Sequence, residues 1–188
     1  MIDPALIRNL TASGTAYPLD DFSDREKRVL LSALRAAWAR VSASGSPMTN
    51  EDGITTLMVD ALREIRRQKS VPGFLSTTFE TPVRDAKEVN FSGAHPDKMP
   101  DIVFRPTGDF DARRAWFVEA KIVDLNHSVA DYIGKGVMRF VIGDYAWAMP
   151  SAAMVAYNDA SYSMDSKLSG KVPIVSCRLD ASARQSVH

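Results

Sequence analysis

An acid and a base stand two residues apart in the apolar run 115–123, "AWFVEAKIV", as Glu119 and Lys121. Side chains alternate along a strand, so Phe117, Glu119, Lys121 and Val123 share one face. Trp116, Val118, Ala120 and Ile122 form the other, which is wholly apolar and suited to a core. Two explanations of the charged face stand open. On an edge strand the pair is solvated and contributes little to stability. In a cleft it does chemistry, and Asp101 then matters, because it opens another short apolar run, 101–104, directly after Pro100. If the two runs pair antiparallel through the polar turn 105–114, Asp101 comes near Glu119. Neighbouring carboxylates repel one another unless a cation lies between them. Mg²⁺ takes oxygen ligands, commonly one or two carboxylates plus water and phosphate. A lysine beside it can orient or deprotonate water, or stabilise phosphate charge.

Other elements must position these groups. The pattern predicts a helix over 21–41, with Ser23 or Asp21 as cap and Val29, Leu30, Leu34 and Trp38 as its apolar stripe. "SASGSP", 42–47, reads as a linker. A second helix follows, "TNEDGITTLMVDALREIRRQ", with Thr49 or Asn50 as N-cap and acids in its first turn. Its stripe is Ile54, Leu57, Met58, Ala61, Leu62 and Ile65, and Glu51 projects near the stripe's edge while Asp52 and Asp60 point away. Glu51 is therefore either a first-turn acid favouring the helix dipole or an acid facing the site. Glu64, further along, is the weaker alternative. A strand is expected over 74–82, an amphipathic helix over 128–142, a buried strand over 152–157, a short helix over 159–168 and a last strand in "PIVSCRL". On the helix over 128–142, Lys135 and Arg139 are four apart and so adjacent. Gly134 and Gly136 sit within it, each costing about 1 kcal/mol relative to alanine. Strands alternating with helices indicate an α/β domain. The helical first third favours a central mixed sheet flanked by helices over a regular doubly wound repeat.

Pro100-Asp101 followed by Glu119-Ala120-Lys121, with 17 residues between Asp101 and Glu119, resembles the signature of the PD-(D/E)XK nuclease superfamily. The resemblance spans roughly 51–157 and implies a restriction-endonuclease-like fold. It implies a domain over 47–179, preceded by a helical extension, 1–46, packed on the core and followed by a flexible tail, 180–188. The implied activity is Mg²⁺- or Mn²⁺-dependent hydrolysis of DNA phosphodiesters. Asp101, Glu119 and the backbone carbonyl of Ala120 would hold the metal, Lys121 would assist the attacking water, and Glu51 would tune or bind a metal. Lys135 and Arg139 become phosphate contacts, the alternative being a solvated basic edge. The stretch "RFVIGDYAWAMPSAAMVAY" loosely resembles small stand-alone members encoded near bacterial restriction and defence genes. DNA is the implied partner, with a protein partner or a homodimer as a further expectation.

The remaining chemistry is mostly exclusion. Lys plus Arg and Asp plus Glu are both 23, so the chain is formally neutral and does not bind nucleic acid by bulk charge. That balance suits a second reading, a non-catalytic binding module on the same fold that acts as a subunit of a larger complex. The single cysteine, Cys177, cannot form an internal disulfide, which fits a reducing, cytoplasmic setting. No basic-then-apolar leader and no stretch of 18 apolar residues is present, so no membrane span is expected. One cysteine and the three histidines, His95, His127 and His188, are too widely spaced for a conventional zinc site. No phosphate-binding glycine loop, nucleophile elbow or helix-turn-helix signature appears.

Overall fold

A computed structural model describes residues 19–45, 50–87, 99–123 and 129–157. The expected elements at 159–168 and in "PIVSCRL", the tail 180–188, His95, His127, His188 and Cys177 lie outside the described residues.

Helix α1 (Asp24–Ala43) starts where Ser23 accepts from the Glu26 N–H and Glu26 reaches back to the Ser23 N–H, a reciprocal capping box. It runs two residues further than the 21–41 expectation, so Ser42 and Ala43 belong to the helix rather than to the expected linker. Helix α2 (Glu51–Gln68) starts at Asn50, whose side chain accepts from the Gly53 N–H. Leu30, Leu34, Ile54, Met58, Leu62 and Ile65 are all buried, and burying each stabilises the fold by about 1.5–3 kcal/mol.

The sheet has three strands in the order β1-β2-β3: β1 (Ile102–Phe104), β2 (Trp116–Ile122) and β3 (Ala153–Tyr157). Strand β1 pairs antiparallel with β2, Ile102 opposite Val118. Strand β3 pairs parallel with β2, with Glu119 opposite Met154 and Lys121 opposite Ala156. Strand β2 is thus central, and Glu119 and Lys121 are not a solvated pair on an edge.

Alternation along the strands divides the sheet's contacts. Val118, Ala120, Val155 and Tyr157 join α1 and α2 in the main core, where Trp38 stacks on Tyr157 with centroids 5.6 Å apart. Met154 and Ala156 join a smaller cluster with Val123, Val129, Tyr132 and Val137. The latter cluster sits under an interrupted helix. Its pieces are α3 (Val129–Asp131), a π segment (Tyr132–Val137) and α4 (Met138–Val141). Charged Glu119 and Lys121 lie on the face shared with Met154 and Ala156.

The expected strand over 74–82 is not formed. The chain there winds through turns, with Phe74 N–H donating to the Val71 carbonyl and Phe79 N–H to that of Leu75. Its pairing with β neighbours is limited to isolated bridges among the described residues, Phe79 with Pro106 and Val83 with Val103, beside single bonds such as that from the Glu80 N–H to the Arg105 carbonyl. Pro82 lacks the donor a ladder needs, and Phe74 and Phe79 serve as buried plugs rather than as one strand face.

Candidate active site

The antiparallel register, continued one residue beyond β1, sets Asp101 opposite Glu119, the placement at which two side chains meet across strands. Both are buried: Glu119 is 0% exposed and Asp101 8%. Asp101 Oδ2 accepts from the Ala120 N–H at 2.7 Å. Lys121 extends its ammonium into the same place. Its Nζ lies 2.8 Å from Glu119 Oε1, 3.9 Å from Asp101 Oδ2 and 2.6 Å from Glu51 Oε1. It also donates to the Ala120 carbonyl at 2.6 Å. Oxygens from three acids and one peptide therefore face one cation.

Glu51 arrives because α2 begins there and its first turn abuts the end of β2. Its second oxygen accepts from the Ile122 N–H at 3.3 Å, which fixes the helix start against the strand. Glu64 is elsewhere, paired with Arg67 on an exposed helix face. Of the two helix-borne acids the sequence offered, Glu51 is the one at the cluster.

Two further side chains close on Glu119. Arg139 Nη1 lies 2.6 Å from Oε1, and the Tyr145 hydroxyl donates to Oε2. Tyr145 was not singled out in the sequence. It is placed by the end of α4, where the Gly143 N–H donates to the Phe140 carbonyl and the Asp144 N–H to that of Arg139. This Schellman turn uses Gly143 at φ 76° and returns the chain beneath Arg139. A glycine just past a helix, followed by an aromatic, was the available signal.

Lys135 and Arg139 are not neighbours in role. Lys135 is exposed and pairs with Asp131 at 2.8 Å, whereas Arg139 turns inward to Glu119. The π segment, which holds Lys135 and ends at Val137, breaks the four-residue spacing that would have kept them on one edge. Gly136 lets the π segment approach the sheet, since a Cβ there would lie 2.4 Å from Met154 Cε and 3.5 Å from Lys121 Cγ.

Burial pushes the Asp101 carboxyl up to about 7, with the Glu119 charge adding to the effect and the Ala120 N–H and Lys121 opposing it. Burial also raises Glu119, against the pull of Lys121, Tyr145 and Arg139. For Lys121, burial disfavours the ammonium, but Glu119, Glu51 and Asp101 outweigh it and hold the group above its ordinary value. Lys121 is therefore a charged donor at neutral pH rather than a free base. The Tyr145 hydroxyl is raised by burial and by Glu119, so it stays protonated.

The donor set suits a hard divalent cation: every acceptor around Lys121 Nζ is oxygen. Among the described residues, no three His, Cys, Asp or Glu side chains form a group that could hold a metal by themselves. Two carboxylates and a carbonyl fall below that number and are what Mg²⁺ commonly uses with water. No described helix is long and apolar enough to cross a membrane. No family model, curated protein or solved structure matches this chain.

Proposed function

We propose that this chain is a metal-dependent nuclease that hydrolyses DNA phosphodiesters on a restriction-endonuclease-like core. The observation that carries the reading is the convergence of Glu51, Asp101, Glu119 and the Ala120 carbonyl on the ammonium of Lys121. A stability device would not need it, because burying charges costs several kcal/mol per ion, on the order of what their attraction returns.

In this reading Asp101, Glu119 and the Ala120 carbonyl hold Mg²⁺ or Mn²⁺. When bound there, such an ion would supply Lewis acidity toward water and the phosphate. Lys121 donates to the attacking water and to a phosphate oxygen as negative charge grows there. Glu51 keeps the lysine aimed by accepting from its ammonium. Water oxygen bonds to phosphorus and its proton passes to solvent, the P–O3′ bond breaks, and the departing O3′ takes up a proton from solvent, so the chain leaves as a 3′-hydroxyl and a 5′-phosphate. Neutral overall charge leaves little long-range attraction for DNA, so a protein partner or a second copy completes the grip. A restriction or phage-defence setting suits such a subunit.

One observation favours a second reading, a non-catalytic module on the same fold. Both oxygens of Glu119 are already engaged by Lys121, Arg139 and Tyr145. Cleavage of supercoiled plasmid and of single-stranded DNA, with Mg²⁺ or Mn²⁺, separates the two. The nuclease reading expects cutting by the wild type that is lost on Lys121→Ala. A folded wild type that cuts neither substrate favours the module, and equal cutting by both proteins refutes the assigned site.

A further inference from the structure

Glu119 presents its two oxygens to different surroundings. Oε1 faces the cluster, 2.8 Å from Lys121 Nζ and 2.6 Å from Arg139 Nη1. Oε2 accepts from the Tyr145 hydroxyl. Tyr145 is itself wholly buried, its ring edge-on to Phe140 with centroids 5.2 Å apart at 87°. Its position is fixed by the Gly143 turn, and its hydroxyl is also 3.5 Å from Arg139 Nη1, whose only role toward it is as a donor. Among the described residues, the phenolic proton goes to Glu119 Oε2.

We propose that Tyr145 determines which divalent cation the site accepts, by holding Glu119 Oε2 so that a metal can reach Glu119 only through Oε1, the oxygen that Lys121 and Arg139 share in the metal-free site and would yield to it. The inference rests on the metal-centre reading above and extends it to a residue outside the signature. Ca²⁺ takes about six to eight oxygens and readily uses a carboxylate through both, whereas Mg²⁺ takes about six in near-octahedral order. A glutamate with one oxygen committed to a phenol suits the smaller ion. Tyr145 is a positioning residue: it touches Glu119, not substrate.

The test is calorimetric titration of Mg²⁺ and of Ca²⁺ into the wild type and Tyr145→Phe, without nucleic acid. The phenylalanine keeps the ring and removes the hydroxyl. The expected result is a rise of about tenfold or more in the ratio of Ca²⁺ to Mg²⁺ affinity, since a hydrogen bond to a charged group is worth about 1.5–3 kcal/mol. A merely structural role would weaken both ions alike, so a ratio unchanged within about twofold overturns the proposal. A wild type that binds neither ion overturns the metal-centre reading itself, and the selectivity role with it. Should Tyr145→Phe not fold, a crystal of the wild type soaked in Ca²⁺ decides. Glu119 bound through Oε1 alone, with Oε2 still on Tyr145, supports the proposal, and Glu119 bound through both oxygens overturns it.

Discussion

Replacing Asp101 with asparagine should stabilise the metal-free protein at alkaline pH while removing a proposed ligand. The reasoning starts from burial. An Asp101 carboxyl raised from 3.8 to about 7 binds a proton in the folded state that the unfolded chain has already released. Between those two values the folded state holds more protons than the unfolded state, so stability falls as pH rises. The loss begins near the unfolded value and is complete above about 7. At ~1.4 kcal/mol per pH unit the full effect is about 4 kcal/mol. The neutral amide avoids it, and its oxygen can still accept from the Ala120 N–H. Chemical denaturation in EDTA should therefore find Asp101→Asn more stable than wild type by about 2–4 kcal/mol at pH 8. The advantage should shrink toward zero at about pH 4, where the wild-type carboxyl is also neutral. Glu119 is raised as well, so the difference between the two proteins isolates Asp101 better than the wild-type profile does. A variant that is less stable than wild type at pH 8, or one whose advantage does not change with pH, would refute the argument.

Other expectations follow from packing and caps. Gly134→Ala meets nothing within 4 Å and should stabilise the helix by about 0.5–1 kcal/mol. Gly136→Ala must displace the Met154 terminus from 2.4 Å and should cost about 1 kcal/mol or more; thermal melts of the pair should move in opposite directions. Gly143→Ala forces a side chain at φ 76°, so it should cost about 1–2 kcal/mol and, by shifting Tyr145, raise the ratio of Ca²⁺ to Mg²⁺ affinity in calorimetry. Ser23→Ala removes the capping box of α1 and should cost about 1 kcal/mol in denaturant unfolding, with divalent binding unaltered.

Much of the cluster was legible because strand geometry is regular. Alternation alone puts Glu119 and Lys121 on one face, and antiparallel pairing through 105–114 brings Asp101 near Glu119, while the register that sets them opposite is seen only in the structure. The stripe of α2 brought Glu51 to an edge facing the protein, although the dipole argument for a solvated acid was equally available. Arg139 and Tyr145 were obscured for a different reason. Counting by helical turns assumes an unbroken helix, and the π segment (Tyr132–Val137) shifts everything after it. Helical counting therefore sets Arg139 beside Lys135, as a phosphate contact or a solvated basic edge, whereas it turns inward to Glu119. Tyr145 follows a reversal at Gly143 whose direction no periodic pattern encodes. The strand expected over 74–82 failed because apolar residues such as Phe74 and Phe79 also occur as plugs in turns, and periodicity does not distinguish plug from strand. Ser42 and Ala43 read as linker on composition, yet a helix whose apolar face is already buried carries small residues to its end at little cost.

The central claim is that Asp101 and Glu119 bind a divalent cation for phosphodiester hydrolysis. Stoichiometric binding tests it more directly than turnover, because a trace of contaminating nuclease can cut DNA but cannot bind an equivalent of metal. Mn²⁺ binding should be followed by the loss of the free-ion paramagnetic resonance signal, in the wild type, Asp101→Asn and Glu119→Gln, without nucleic acid. The account predicts at least one Mn²⁺ per wild-type chain, with affinity reduced by about tenfold or more in each variant, or ~1.4 kcal/mol. Binding of equal strength in all three proteins, or none by the folded wild type, would contradict it.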